Sequence, residues 1–284
     1  MKVKEKIGIV GQGYVGTAIK VGFDSYYSLE TYDKFDDDKS TCDLNQLVAE
    51  CGIIFVCVPT PMKVDGSCHT SIVESVVKEI NDNFSKEKPI VVIKSTVSPG
   101  TTNKLHKKYK NVEVIFNPEF LTEANFIEDF KNQTRIILGG TRKGTNKLRQ
   151  VYSKVFPKAH IIKTHSTIAE LVKYMTNSYL ATKVSFANEM YEICSELKID
   201  YDKVTEYAIY DERLGNSHLN VPGPDGDFGY GGHCFPKDVK ALINVAQDLL
   251  IEPHMLIATN EKNNEVRTNR DWEKQEGRAV IKNK

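Results

Sequence analysis

Three glycines, Gly11, Gly13 and Gly16, follow directly on the apolar run Ile7-Gly8-Ile9-Val10. Their Gly-x-Gly-x-x-Gly spacing constrains the fold more than any other feature of the chain. A strand must end in a tight turn, and a helix must begin at once and pack closely against it. The first glycine permits the turn, the second lets backbone approach a bound group, and the third lets helix and strand touch. Free N–H groups and the helix dipole at such a terminus favour an anion such as a pyrophosphate. Asp33 ends the next apolar run, about 20 residues further on. Its carboxylate can accept from a ribose hydroxyl and would repel a 2′-phosphate, which predicts NAD rather than NADP. The plainer alternative is a glycine turn that binds nothing.

The periodicity supports the same fold. Candidate strands lie at 7–10, 29–32, 53–58, 90–94, 113–116, 135–138 and 160–163, separated by polar, helix-compatible stretches. Such alternation reads as βαβ units, that is, a Rossmann-type, doubly wound parallel sheet covered on both faces. After about residue 165 the pattern turns helical. Thr167-x-x-Glu170 has the form of a capping box opening a helix to about Leu197. Ile168, Leu171, Val172, Met175 and Tyr179 mark one apolar stripe on it, and Leu180, Val184 and Tyr191 a second, roughly opposite. A helix apolar on both sides is expected to be buried on both sides. A Gly/Pro-rich loop over 215–232 then leads to a helix at about 236–250, and Pro253 opens another.

We therefore expect a Rossmann-type domain over 1–165 and an all-helical domain with a long central helix over 166–270, with the active site between them. A charged tail, 271–284, is expected to fray. Lys+Arg and Asp+Glu both number 38, a formal net charge of zero, which argues against nucleic acid or an anionic membrane as the main partner. The longest apolar run, 53–58, is far short of the roughly 20 residues of a membrane span. Lys4, Glu5 and Lys6 lead straight into the first strand, without the pattern of a signal peptide. The six cysteines form no Cys-x-x-Cys pair and no zinc-like grouping, which reads as free thiols in a cytoplasmic protein with no metal site.

Polar segments fall where strands end. Val58-Pro59-Thr60-Pro61, Lys94-Ser95-Thr96-Val97 and Asn117-Pro118-Glu119-Phe120-Leu121 follow the third, fourth and fifth runs. Ligands of open α/β sheets bind on that edge. The most specific stretch is Phe228-Gly229-Tyr230-Gly231-Gly232-His233-Cys234-Phe235-Pro236-Lys237-Asp238. Pro236 suits the first position of a helix, so Cys234 stands just before its N-terminus, near Lys237. That setting favours a nucleophilic thiolate over a merely packed thiol. Asp238 falls in the first turn, where stabilising the dipole is its simplest role. Lys173 and Asn177, four apart, share a helix face. They are either a solvated pair or, if covered, donors for a developing oxyanion.

Together these motifs resemble the UDP-glucose/GDP-mannose 6-dehydrogenase family, from Ile7 to about Arg270. Thr122-Glu123, Glu170-Leu171-x-Lys173-x-x-x-Asn177 and Arg213-Leu214-Gly215 complete the series in family order. The resemblance implies oxidation of the C6 alcohol of a nucleotide sugar, UDP-glucose foremost, to the uronic acid, with two NAD molecules and a thioester on Cys234. It implies that Lys173 and Asn177 stabilise the oxyanion, that Asp238 and Thr96 position water, and that Glu119 is the base for hydrolysis. Gly11, Gly13, Tyr14, Val15, Gly16, Asp33, Lys34, Val58, Pro59, Thr60, Ser95, Thr96 and Glu123 would contact NAD. Glu119, Phe120, Leu121, Lys173, Asn177, Phe228 and Gly231 would contact the sugar nucleotide. Arg213 would too, in some family members from a neighbouring subunit. A homodimer through the long helix is implied. Members usually carry a third, nucleotide-binding domain, and this sequence stops where that domain would begin. Two rivals are a two-electron β-hydroxyacid-type dehydrogenase, which needs no cysteine, and a non-catalytic cofactor-binding or assembly protein.

Overall fold

The computed structural model describes residues 5–84 and 88–281; Lys4 and the last three residues of the charged tail lie outside them. In the first part of the chain seven strands form one sheet: β1 (Lys6–Val10), β2 (Ser28–Tyr32), β3 (Ile53–Val56), β4 (Ile90–Ile93), β5 (Glu113–Phe116), β6 (Arg135–Gly139) and β7 (His160–Thr164). Their order is β2-β1-β3-β4-β5-β6-β7. The chain turns to the other side of β1 when it passes from β2 to β3. The crevice at the ends of β1 and β3 is therefore the switch point at which this class of sheet binds ligands.

All seven candidate runs are strands; in β1, β3, β4, β5 and β6 alternate residues turn to opposite cores, while the edge strands β2 and β7 are only partly buried. Ile7, Ile9, Ile53, Phe55, Val92 and Ile115 face one core; Val10, Ile54, Val56, Val91, Ile93, Val114 and Phe116 face the other. Helices α1 (Tyr14–Phe23), α5 (Phe126–Lys131) and α6 (Arg142–Val155) cover the first core. Helices α2 (Leu44–Glu50), α3 (Ser71–Asn83) and α4 (Thr101–Lys108) cover the second. On the α1 side Phe23 meets Phe55 at 5.7 Å and Tyr152 at 5.5 Å, both edge-on. Such pairs contribute about 1 kcal/mol each beyond area burial.

The sheet departs from parallel at one junction. β5 meets β6 antiparallel through the single pair Phe116 and Gly139. The only helix between them, α5, has six residues, about 9 Å, too short to carry the chain back along a strand.

Helix α7 (Ser166–Glu196) follows, close to its expected length, but it does not start with a capping box. Thr167 already lies inside it. The buried Glu170 carboxylate instead accepts from Gly100 N at 2.5 Å and Thr102 N at 2.8 Å, capping α4. Burial pushes the Glu170 carboxyl above the usual carboxylate range. Nor is α7 covered on both sides. Val184 and Tyr191 pack inward, while Ile168, Leu171, Met175 and Tyr179 stay exposed, Met175 at 69%. Among the described residues only Val172 of that stripe packs against the core.

Contacts divide the chain into two units, Met1–Thr60 with Thr70–Lys173, and Pro61–His69 with Tyr174–Lys284. The second holds the rest of α7 with α8 (Tyr201–Ala208), α9 (Phe235–Asp248) and α10 (His254–Val266). Its tail is not frayed over the described residues. Trp272 is only 2% exposed and packs with Met62 and Ala279. Met62 N donates to Ala279 O at 2.7 Å, and Ile281 N to Met62 O at 3.0 Å. The buried indole and these backbone bonds anchor the charged stretch. Among the described residues no helix is long and apolar enough to cross a membrane.

Candidate active site

The first unit carries the glycine loop between β1 and α1. Gly11 has φ +90°, and a Cβ there would lie 2.7 Å from Cys57 O; one at Gly16 would lie 1.9 Å from Gly11 O. These two positions must be glycine for the turn to close. Gly13 differs, with nothing within 4 Å of its absent Cβ. It is the N-cap of α1, which has neither a side-chain cap nor an acidic residue in its first turn. An open, uncapped helix start fits a pyrophosphate. Tyr14 rests on Phe126 at 5.1 Å, with Val15 half-buried beside it. Asp33 accepts from Gln12 N at 2.7 Å and Phe35 N at 3.0 Å, which ties the end of β2 to the loop. Each carboxylate oxygen has a second acceptor site, so ribose hydroxyls can still be bound. Lys34 is exposed.

The loops after β3 and β4 are joined by Ser95 Oγ, which donates to Val58 O at 2.6 Å. Thr60 and Thr96 are buried, and Pro59 is exposed. After β5, Glu119 accepts from Lys173 Nζ at 2.9 Å and from Leu121 N at 2.7 Å. The side chains of Lys173 and Glu119 are only 3% and 12% exposed. Burial raises the Glu119 pKa, but Lys173, the Leu121 N–H and Lys94 outweigh it and hold the carboxyl below its usual range. Glu119 is thus a carboxylate at neutral pH. Phe120 takes the Lys173 ammonium over its ring at 5.4 Å and the Arg135 guanidinium at 4.3 Å. Glu123 lies in an exposed stretch.

The second unit carries the cysteine. Helix α9 begins at Phe235, so Pro236 is its second residue and Cys234 its N-cap. Lys237 Nζ pairs with Asp238 Oδ1 at 2.5 Å, and Asn177 Nδ2 donates to Asp238 Oδ2 at 2.6 Å. Burial lowers the Lys237 pKa, but Asp238, Cys234 and Cys68 more than compensate and keep the ammonium charged. A half-buried thiol therefore stands at a helix N-terminus, in the field of a retained cation. Phe228 packs on Tyr191 at 5.6 Å. Gly231 has no room for a side chain, because Arg267 and Asp271 fill the space. Arg213 stands apart, 89% exposed and paired with Asp211. Among the described residues no cluster of His, Cys, Asp and Glu is arranged to hold a metal.

Sequence reasoning gave no role to Lys94, although its signal, a lysine closing an apolar strand, was present. It is 4% exposed, and its Nζ donates to Asn117 Oδ1 at 3.0 Å, an oxygen that also accepts from Tyr152 OH. Burial lowers its pKa from 10.5 to about 8, against the opposing pull of Cys57 and Glu119. Burial also pushes the Cys57 thiol up to about 12. Between pH 8 and 10.5 the unfolded chain binds more protons at Lys94 than the folded one, so its contribution to stability rises with pH. Relative to a Lys94→Met variant, the native protein should gain about 3 kcal/mol across that window. Urea unfolding of both proteins at pH 7.5 and pH 10.5 measures this; a constant difference would contradict it.

Comparison with known proteins assigns the chain to a family. Residues 30–156 match the NAD binding domain of the UDP-glucose/GDP-mannose dehydrogenase family, and residues 167–265 match its central domain. The UDP-glucose 6-dehydrogenase of Rickettsia bellii is 35% identical over 233 residues, 80% of this chain and 52% of the relative. A putative UDP-glucose 6-dehydrogenase of Bacillus subtilis is 30% identical, over 91% of this chain and 67% of the relative. The structure of a UDP-glucose dehydrogenase from Pyrobaculum islandicum superposes with a TM-score of 0.84 at 28% identity, over 92% of this chain and 68% of that one. The chain spans about half the length of the first curated relatives it matches. With both domains matched in order along the chain, the protein belongs to the UDP-glucose/GDP-mannose dehydrogenase family.

Proposed function

We propose that this chain oxidises the C6 alcohol of a nucleotide sugar, UDP-glucose foremost, to the uronic acid through a thioester on Cys234. The observation that carries the reading is Cys234 at the N-cap of α9, with charged Lys237 and the Asn177–Asp238 bond beside it. A two-electron β-hydroxyacid enzyme has no use for that arrangement.

Gly11, Gly13, Gly16 and Asp33 would hold NAD, two molecules of which, bound in turn, would supply the hydride acceptor for the two oxidations at C6. The protein's residues do the rest. After the first oxidation the Cys234 sulfur adds to the aldehyde; a C–S bond forms and the carbonyl oxygen takes up negative charge. Lys173 and Asn177 donate hydrogen bonds to that oxygen. Loss of the second hydride leaves the thioester. Water, positioned by Thr96 and Asp238, attacks it while Glu119 takes the proton. The tetrahedral intermediate then expels the Cys234 thiolate and releases the acid. A base already ionised at neutral pH suits that last step.

The same reading places a second copy of the chain against α7. Ile168, Leu171, Met175, Tyr179, Phe186 and Ile193 are exposed at helical spacing, the kind of patch that marks an interface. An Arg213 so fully exposed is free to serve a neighbouring subunit.

Two measurements test these statements. At completion, each acid formed should match two reduced NAD, and Cys234→Ser should lower acid formation by about a hundredfold or more. A ratio of one, or unchanged turnover in the variant, favours the two-electron rival. Light scattering at micromolar concentration should give twice the chain mass, falling to the chain mass in a Met175→Lys, Tyr179→Lys double variant. A native monomer would refute the dimer.

A further inference from the structure

The family match ends at residue 265, and the segment beyond it is bonded to the cysteine loop. Both Asp271 oxygens accept from Gly232 N, at 3.1 and 3.0 Å. The Arg267 side chain is 2% exposed and pairs with Asp225 at 2.6 Å, Asp227 at 3.4 Å and Asp271 at 3.7 Å. It also donates to Phe228 O at 3.3 Å. The buried guanidinium thus holds the start of 225–232, and the Asp271 carboxylate holds its end. A Cβ on Gly231 would lie 2.3 Å from Arg267 Nη2 and 2.5 Å from Asp271 Oδ1. Asn263 adds a two-point grip, accepting from Tyr230 N at 2.6 Å and donating to Tyr230 O at 3.1 Å. The far end is fixed where Trp272 and Ala279 bury Met62.

We propose that residues 267–281 form a brace for the cysteine loop, with Arg267 and Asp271 as positioning residues for Cys234. The inference rests on the reading of Cys234 as nucleophile. Sub-ångström placement of a nucleophile governs rate, and a loop rich in glycine holds no such placement unaided. Here the glycines make room for the brace, and the brace supplies the rigidity they give up. The Asp271 carboxylate on the Gly232 N–H, two residues before Cys234, links brace and loop directly.

The test compares native protein with Asp271→Ala, Asp271→Asn and Arg267→Met. Alkylation of each cysteine by iodoacetamide is followed by peptide mass spectrometry, beside kcat and KM with UDP-glucose and NAD. Asp271→Ala should speed alkylation of Cys234 by about fivefold or more, as the loop opens locally, and leave Cys42, in the first unit, unchanged. It should lower kcat by about tenfold or more, with KM for NAD unaltered. Asp271→Asn, which keeps an acceptor for Gly232 N, should recover most of both. Asp271 is one-third exposed, so its variants remain informative if Arg267→Met fails to fold. An unchanged Cys234 alkylation rate overturns the brace, as does equal acceleration at every cysteine. If the native protein turns over no nucleotide sugar yet Asp271→Ala still exposes Cys234 selectively, the proposed function fails and the brace stands.

Discussion

The buried pairing of Lys173 with Glu119 is the interaction that constrains the first unit most, and the proposed chemistry draws on it. Both side chains are almost wholly withdrawn from water, and each ion loses several kcal/mol of hydration by being there. Glu119 stays ionised because Lys173 Nζ is 2.9 Å away, with the Leu121 N–H on the carboxylate and Lys94 adding to the pull. Removing either partner would strand the other, so the first turns of α7 and the loop after β5 are held in one arrangement. In the proposed mechanism the same pair supplies the donor to the oxyanion and the carboxylate that takes the proton.

The second unit meets a related problem with different means. Asp238 is buried at the start of α9 and is satisfied by Lys237 and Asn177. The loop before it is held by side chains acting on its backbone: Asn188 on Gly229, Asn263 on Tyr230, Asp271 on Gly232. Such bonds are geometric constraints more than sources of stability, since each contributes only about 1 kcal/mol net. Their value lies in fixing one backbone path out of the many that glycine allows.

Much of this was legible in the sequence. The seven strands follow from apolar runs bounded by polar stretches, and the glycine loop from its spacing. What periodicity cannot carry is direction, so the antiparallel junction of β5 and β6 was hidden. It also cannot carry long-range partners. Glu170 has the spacing of a capping box, yet its carboxylate serves α4, a choice made by tertiary packing. Lys94 and Arg267 were hidden because charged residues read as surface until the fold surrounds them. The tail reads as solvated from its charge; the buried Trp272, the backbone bonds to Met62 and the Asp271 bonds to Gly232 reverse that. Helix α8 was overlooked although Asp200, which accepts from Asp202 N and Lys203 N, is an ordinary N-cap. Periodicity shows both stripes on α7 but not which one the chain itself covers: Ile168, Leu171, Met175 and Tyr179 are exposed in the single chain.

The covalent role of Cys234 is the central claim, and trapping the intermediate tests it most directly. A Glu119→Gln variant, slowed in hydrolysis, would be mixed with NAD and UDP-glucose, quenched in acid and digested for mass spectrometry. The account predicts a sugar-nucleotide acyl group on the peptide that carries Cys234, formed only when NAD is present. Acid product appearing without any such adduct, or an adduct on another residue, would contradict it.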